Sequence, residues 1–359
     1  MSEWPVESDL YELLQVHPKA DAAIIKKAYH TLMQRLHPDV GGDPVVARQV
    51  NFAYEVLIDP DKRALYDVKR AERLKARLRQ VIKQGKARTA EPTCPILSDQ
   101  GVLVTDERND RALVLAPDGE IVWQVGGREA TPELRLRAPR HGSFTPDGHR
   151  LVADTGASRL IEIRPDKSVA WLCDEHLSAP IFALRLAGGE TLVADAGAKR
   201  VIELNGDREV VWQYRMATAP TAAWRLESGE TLIADGRRLL QVNRAGKVLR
   251  EWPPQGWLAR WKWGRKPWHG ANFAVPAGGG GGLLVASDRI GLVDPQGQYL
   301  WQFDGLPQAD IRQAYMLSNG QLLVDFVHLV KRGINQEVVL LDEGRRPLWR
   351  HYYSQHRFI

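Results

Sequence analysis

Three groups of residues in this 359-residue chain could support chemistry or binding, and the first is an aspartate followed five residues later by an arginine. The pairs are Asp106 with Arg111, Asp154 with Arg159, and Asp195 with Arg200. At this spacing a carboxylate and a guanidinium can meet across a hairpin, so we favour structural ion pairs or turn hydrogen bonds. The alternative is that the aspartates together hold a metal ion or a pterin-like cofactor.

The histidines argue against catalysis. All ten are scattered along the chain, and the sequence pairs no nucleophile with a base. We therefore expect no catalytic residue, no metal and no cofactor, and we expect that the protein is not an enzyme.

The second pattern is a set of tryptophans that alternate with basic residues. Its members are Trp257, Arg260, Trp261, Lys262, Trp263, Arg265 and Trp268. Tryptophan and arginine are enriched where protein interfaces gain most of their energy, so we predict a client or partner surface here. The same composition could stack on single-stranded nucleic acid, or the tryptophans could simply fill the end of a domain. A second run, residues 128–141, is also rich in arginine and ends on a histidine.

A third polar group, His37-Pro38-Asp39, lies where a helical pattern stops. Residues 24–36 place apolar side chains at three- and four-residue steps, which predicts an amphipathic helix, and Asp21 is a suitable N-cap. Pro38 and the glycines that follow it cannot continue that helix. We expect an exposed loop between two antiparallel helices, the second beginning at Pro44, with a short helix over residues 9–16.

Five sequence blocks in this region resemble a J domain, the domain of DnaJ-type co-chaperones, in both order and spacing. They are residues 11–14 (YELL), 25–29 (IKKAY), 37–39 (HPD), 53–57 (AYEVL) and 61–67 (DKRALYD). The resemblance covers residues 7–68. It implies a helical domain that docks on the nucleotide-binding domain of a DnaK-type ATPase and couples client delivery to ATP hydrolysis.

The resemblance also implies roles for individual residues. Asp39 would pair with an arginine of the partner, Pro38 would hold the loop rigid, and His37 would form a hydrogen bond nearby. Basic residues beside the loop would contact an acidic partner surface, although any amphipathic helix has a charged outer face. These further chaperone-binding candidates are Lys26, Lys27, His30, Arg35, Lys62 and Arg63.

A strongly basic segment follows. Residues 68–88 contain nine basic side chains and one acidic one, so this segment carries +8 and the rest of the chain sums to −3 of the formal net charge of +5. We predict a basic helical connector and linker over residues 69–93, which packs on its neighbour and spaces the domains. The alternatives are a tether for nucleic acid or acidic lipid, and a second contact with the chaperone.

The remainder of the chain is a repeat with a period of about forty to fifty residues. The run LVAD at residues 151–154 recurs at residues 192–195 and, as LIAD, at 232–235, with looser copies on either side. Each of the regular copies has a tryptophan twenty residues after its leucine. Each copy divides into four short strands with glycine at the turns, such as Gly188-Gly189 and Asn205-Gly206, where a positive φ is needed. Four strands per repeat predict a β-propeller over residues 94–359, with six blades favoured and five or seven possible.

The copies resemble blades of quinoprotein-like and arylsulfotransferase-like propellers over residues 94–352. This resemblance implies the architecture alone, since no catalytic motif of those enzymes matches here. The fold class is therefore a multidomain α plus all-β protein, with a J domain, a basic connector and a propeller.

Cellular context and function follow from these features. The two cysteines, Cys94 and Cys173, form no CxxC pair, which fits a reducing cytosol and excludes a paired-cysteine zinc site. No secretory signal or membrane span is evident, so we expect a cytoplasmic protein. The favoured function is a co-chaperone that stimulates a DnaK-type ATPase while its propeller binds a client or adaptor. The alternatives are a propeller enzyme, a transferase or lyase with an accessory J domain, and a nucleic-acid-binding adaptor.

Overall fold

The computed structural model describes residues 10–16, 20–36, 43–70, 94–128, 130–252, 273–276, 283–286, 289–293, 299–303, 309–317, 320–330 and 333–357. The chain divides into two compact units, Met1–Arg77 and Leu78–Ile359, and each is described separately.

The first unit is helical. Its helices are α1 (Leu10–Leu13), α2 (Ala22–Leu36), α3 (Pro44–Leu57) and α4 (residues 60–70). Asp21 caps α2 by accepting a hydrogen bond from the Ile24 amide at 2.8 Å, as the sequence predicts. Asp43 caps α3 in the same way from Val45 at 2.7 Å, and Asp59 caps α4.

Apolar and aromatic side chains hold these helices together. Ile25 is the fully buried residue of α2, and Val50 and Leu57 are buried on α3, as the apolar spacing predicts. Between the two helices Tyr29 stacks on Tyr54 with ring centroids 4.1 Å apart and donates a hydrogen bond to Asn51. Thus α2 and α3 are fixed against each other on either side of the loop that joins them.

The second unit consists of six antiparallel sheets, each built from strands that are consecutive in the chain. The first three sheets contain β1 (Val102–Asp106), β2 (Arg111–Leu115) and β3 (Ile121–Gly126); β4 (His141–Phe144), β5 (Arg150–Asp154), β6 (Arg159–Ile163) and β7 (Val169–Cys173); and β8 (Pro180–Arg185), β9 (Thr191–Asp195), β10 (Arg200–Leu204) and β11 (Val210–Arg215).

The other three sheets have four strands each. They contain β12 (Ala222–Arg225), β13 (Thr231–Ala234), β14 (Leu239–Val242) and β15 (Val248–Trp252); β16 (Phe273–Pro276), β17 (Leu283–Ala286), β18 (Ile290–Val293) and β19 (Tyr299–Phe303); and β20 (Ala309–Met316), β21 (Leu322–Val330), β22 (Gly333–Leu341) and β23 (Pro347–Arg357). The sheets are the blades of a six-bladed β-propeller, so the predicted fold class and blade number are confirmed.

Burial explains the repeated sequence. Every residue of β5 and of β9 is buried, because neighbouring blades cover both faces of these strands. The small residue in the LVAD run fits that crowded layer. The last strand of a blade is exposed in part, as in β11, where Trp212 is the buried residue.

Among the residues that the structure describes, the last and first blades share no strand. The first blade has three strands, and described residues 94–101 before them add a single bridge between Leu97 and Val102. Side chains join the last blade to the first. The Trp349 indole donates to the Pro117 carbonyl at 2.8 Å, and the Arg111 guanidinium donates to the Tyr353 carbonyl at 2.9 Å.

The turns follow the sequence prediction with one correction. Gly189, Gly148 and Gly229 have the positive φ expected before the second strand of a blade. At Asn205-Gly206 the prediction is wrong, because Arg208, two residues later, has the positive φ of 70° in that turn. The positive φ falls on the fourth residue after the strand end in equivalent turns, which is Gly119 after Leu115 and Gly246 after Val242 but Arg208 after Leu204.

Gly126, at the end of β3, lies close to the backbone of Asp110 in the turn between β1 and β2. A Cβ there would lie 2.2 Å from the Asp110 carbonyl oxygen, whereas Gly148, with a similar φ, has no heavy atom within 4 Å. We expect Gly126→Ala to lower the free energy of unfolding by about 1–3 kcal/mol more than Gly148→Ala, because both replacements strain φ but only one causes a clash. Urea unfolding followed by circular dichroism measures the difference; equal losses would contradict the close approach.

Candidate functional site

The predicted chaperone-binding residues of α2 are accessible. Lys26, Lys27, His30 and Arg35 are all exposed, while Ile25 beside them is buried. Burial of the apolar residues against α3 therefore leaves the basic side chains in solvent, where they can meet an acidic surface.

The loop residues His37, Pro38 and Asp39 lie outside the described residues. They fall between the end of α2 at Leu36 and the N-cap of α3 at Asp43. The helices on both sides of this loop are therefore defined, and the predicted roles of the three residues remain predictions.

The two candidates of α4 differ in their surroundings. Lys62 is exposed. Arg63 instead donates hydrogen bonds to the Tyr11 hydroxyl at 2.9 Å and to the Ala20 carbonyl at 2.8 Å. Tyr11 in turn donates to Asp67, and burial together with this hydrogen bond raises the pKa of Tyr11 to about 12. Arg63 thus ties α4 to α1, and its predicted contact with a chaperone stays a prediction.

In the propeller, the aspartate–arginine pairs form ion pairs between the second and third strands of a blade, to which β1 and β2 of the three-stranded first blade correspond. The Nε–Oδ2 distances are 2.9 Å for Arg111–Asp106, 2.7 Å for Arg159–Asp154 and 3.3 Å for Arg200–Asp195. All three aspartates are fully buried at the end of their strands. The structural interpretation of these pairs is the correct one.

The second and third pairs also clamp the connection that arrives from the preceding blade, which the sequence did not indicate. The first pair reaches the last blade, where Arg111 donates to the Tyr353 carbonyl. Asp154 accepts a hydrogen bond from the Arg137 amide at 2.6 Å, and Arg159 donates to the Arg135 carbonyl at 2.8 Å. Asp195 accepts from the amides of Ser178 and Ala179. The pair therefore fixes the loops on this face of the propeller. We call this unit the aspartate clamp.

A second contact between blades combines the repeated tryptophan with an arginine of the next blade. The guanidinium carbon lies 5.0 Å from the ring centroid for Arg150 over Trp123, 4.9 Å for Arg185 over Trp171 and 5.2 Å for Arg225 over Trp212. Sequence reasoning found the tryptophans and missed the arginines. A signal existed, because Arg185 and Arg225 each stand six residues before the threonine that opens the next strand.

Buried rings from the first strands of four blades pack against one another around the axis of the propeller. His141 and Phe182 have centroids 4.1 Å apart, Phe182 and Phe273 6.0 Å, and Phe273 and Tyr315 5.1 Å. Burial lowers the pKa of His141 to about 3, so its ring is neutral at neutral pH.

The last blade departs from the repeat at Asp325. This residue pairs in register with Gln313 inside a longer strand, instead of ending the strand beside an arginine. The Tyr353 hydroxyl donates to its Oδ1 at 2.6 Å, and burial raises its pKa, opposed by the charge of Arg312. The looser copy LVD thus provides no aspartate clamp.

Two surface cavities stand out on the propeller. One of about 580 Å³ is lined by apolar residues such as Leu184 and Trp224, together with Glu203, which pairs with Arg225 and Arg244. The other, of about 670 Å³, lies beside the aspartate clamps of the first two blades.

Several further predictions concern residues outside the described part. The tryptophan-rich residues Trp257, Arg260, Trp261, Lys262, Trp263, Arg265 and Trp268 lie there, as does the connector from residue 71 to 93. Among the described residues, no cluster of His, Cys, Asp and Glu could hold a metal ion. Cys94 and Cys173 are free and buried. No described helix is both long enough and apolar enough to cross a membrane.

Comparison with known families separates the two units. The DnaJ domain family matches residues 9–67, and the family described as outer membrane protein assembly factor BamB matches residues 108–256. Chaperone protein DnaJ of Dictyoglomus thermophilum is 46% identical over 66 residues, which cover 18% of this chain and 17% of that protein. Chaperone protein DnaJ of Halothermothrix orenii is 48% identical over 63 residues, or 17% of its length. The similarity to these chaperones is thus confined to about a sixth of their length.

Solved structures resemble the propeller. A protein of unknown function from Bacteroides caccae matches with a TM-score of 0.54 and 16% identity, covering 70% of this chain and 92% of that one. This likeness supports the fold alone. Virginiamycin B lyase from Staphylococcus aureus matches with a TM-score of 0.48 and 14% identity, covering 75% and 86% of the two chains, and carries no argument about activity.

The energetics of an aspartate clamp can be tested at Arg159. We expect Arg159→Met to lower the free energy of unfolding by about 3 kcal/mol at pH 7, because the fully buried Asp154 loses its counter-ion. Burial already raises the pKa of Asp154, so protonating it in the folded state relieves the penalty. The loss should therefore be greatest at neutral pH and shrink as the pH falls through the raised pKa.

A double variant serves as the control. Asp154→Asn combined with Arg159→Met removes the unpaired charge, so the extra loss that Arg159→Met shows at neutral pH should disappear. Urea unfolding at several pH values measures all three proteins, and a loss in Arg159→Met that is independent of pH would contradict the clamp.

Proposed function

We propose that this chain, in which a DnaJ domain precedes a six-bladed propeller of the PQQ-like and BamB type, is a co-chaperone of a DnaK-type ATPase. The observation that carries the proposal is the DnaJ match over residues 9–67, with His37-Pro38-Asp39 placed between α2 and α3. In this role the chain stimulates ATP hydrolysis by the partner and brings it a bound protein.

The J domain acts by binding, without bond chemistry of its own. Asp39 pairs with an arginine of the partner, a charge-assisted contact that can be bidentate, while His37 and Pro38 position it. The exposed Lys26, Lys27 and Arg35 add long-range attraction to an acidic partner surface. Stimulation arises because these contacts favour one conformation of the partner over another.

The propeller serves as the binding platform for a client or adaptor. Two features support a binding role over an enzymatic one. Around the axis, where a propeller enzyme would hold its substrate, the buried rings of His141, Phe182, Phe273 and Tyr315 pack against one another. The axial histidine is also neutral and buried, so it is poorly suited to proton transfer at neutral pH.

The proposed location is the cytoplasm, where a DnaK-type partner has access to ATP and where unpaired thiols are stable. The free, buried state of Cys94 and Cys173 supports this location.

The loop can be tested by single-turnover ATP hydrolysis by a DnaK-type chaperone in the presence of the full chain. We expect wild-type protein to accelerate hydrolysis and His37→Gln to remove that acceleration. Lys26→Ala combined with Lys27→Ala should weaken the apparent affinity by about fivefold, because two exposed charges together contribute about 1 kcal/mol.

The matched control is Arg48→Ala, which removes an exposed cation from α3 and should leave the acceleration unchanged. Circular dichroism confirms that each variant is folded. The proposal is wrong if the wild-type chain accelerates no cognate partner, or if His37→Gln is as active as wild type.

A further inference from the structure

The larger surface cavity lies between the first two blades and has an unusual lining. It measures about 670 Å³. Its walls are the turn after β1, the end of β3 and the connection from β3 to β4. The arginines that line it are Arg108, Arg111, Arg128, Arg135 and Arg137.

Four of these arginines differ from the others near them. Arg111 forms the ion pair of an aspartate clamp with Asp106, and Arg140, which lies outside the cavity, pairs with Glu107 at 3.3 Å. The remaining four are exposed, and none of them forms an ion pair with a described residue. They are Arg108, Arg128, Arg135 and Arg137. The cavity therefore concentrates positive charge that the described part of the fold does not neutralise.

The backbone that bears these side chains is fixed. The Asp110 carboxylate accepts a hydrogen bond from the Ala138 amide at 2.7 Å, and its carbonyl accepts one from Gly127 at 2.8 Å. The Arg137 amide is held by Asp154. The two walls are held to each other and to an aspartate clamp by hydrogen bonds. The backbone that bears the arginines is therefore already ordered, so little conformational entropy of the backbone is lost when a ligand binds.

The connection that supplies three of the arginines is longer than those at the next two blade boundaries. It comprises residues 127–140, whereas residues 174–179 and 216–221 suffice at the next two blade boundaries. A short connection is thus enough to pass from one blade to the next. The additional residues build the wall of the cavity, and extra residues of this kind are where a repeat protein places its binding function.

We propose that this arginine cavity binds an acidic, carboxylate-rich segment of the protein that the propeller carries. Guanidinium groups match carboxylates in planar, two-point hydrogen bonding, which lysine does not provide. The exposed Asp110 can accept N–H groups of a peptide backbone, which a chain of phosphates lacks. No residue that lines the cavity is aromatic, so it offers no surface on which nucleic-acid bases would stack.

The inference rests on the proposed function, because it names the chemistry of the client or adaptor within the co-chaperone role. Its test is fluorescence anisotropy of the full chain with a labelled twelve-residue peptide rich in Asp and Glu. Replacing Arg128, Arg135 and Arg137 together by Gln should weaken binding by about 10- to 30-fold, since each removes a charged contact of modest strength.

A matched control removes the same charge elsewhere. Lys167, Arg208 and Lys247 are exposed in turns between the third and fourth strands of three blades, which lie at the opposite end of the sheets from the clamps. Their combined replacement by Gln should change peptide affinity by less than about twofold. Equal weakening by both triple variants would overturn the proposal, because it would show attraction by net charge alone.

Two further arms complete the experiment. A peptide with Asn and Gln in place of Asp and Glu should not bind, and binding at equal strength would overturn the proposal. A single-stranded oligonucleotide whose binding is lost in the cavity variant, while the acidic peptide is unaffected, would likewise overturn it. ATPase stimulation by the wild-type chain is measured alongside. If the chain stimulates ATP hydrolysis but does not bind the acidic peptide specifically, this inference is wrong and the co-chaperone role is retained. If the chain binds the peptide but does not stimulate hydrolysis, the co-chaperone role is wrong.

Discussion

The propeller depends on one repeated interaction, the buried carboxylate that ends the second strand of a blade. Asp106, Asp154 and Asp195 are fully buried, and each is neutralised by an arginine across the hairpin. A buried carboxylate left alone would cost several kcal/mol, so its partners must be in place whenever the blade is folded. The partners of Asp154 and Asp195 include backbone amides of the connection from the preceding blade, so folding of each of these blades fixes the loop that leads into it.

The aspartate clamps also join the last blade to the first and fix one wall of the arginine cavity. Arg111, which belongs to the first clamp, also reaches the carbonyl of Tyr353 in the last blade. The second clamp holds Arg137 at the wall of the arginine cavity. One set of ion pairs thus supports both the architecture and the region that we assign to partner binding. Arginines that build the blades form ion pairs with aspartates, whereas the four exposed arginines of the cavity form no ion pair with a described residue.

Much of this organisation could be predicted from the sequence, for physical reasons that differ between elements. The helices follow from apolar spacing and from caps such as Asp21, which are local signals. The blades follow from a repeat in which buried positions recur. The contacts of Asp154 with Arg137, and of Arg185 with Trp171, join residues of different blades, so single-sequence patterns contain only half of each contact. The arginine cavity shows the same limit. The run at residues 128–141 is visible in the sequence, yet nothing local to it indicates that Arg108 lies on the facing wall.

We propose a division of labour in which the J domain recruits the ATPase and the propeller binds the protein that is delivered to that ATPase. The most direct test is transfer of a labelled protein fused to an acidic segment onto a DnaK-type chaperone in the presence of ATP. The account predicts that the wild-type chain loads the fusion onto the chaperone. It also predicts that either His37→Gln or the triple cavity variant prevents loading. Loading that survives both changes would contradict it.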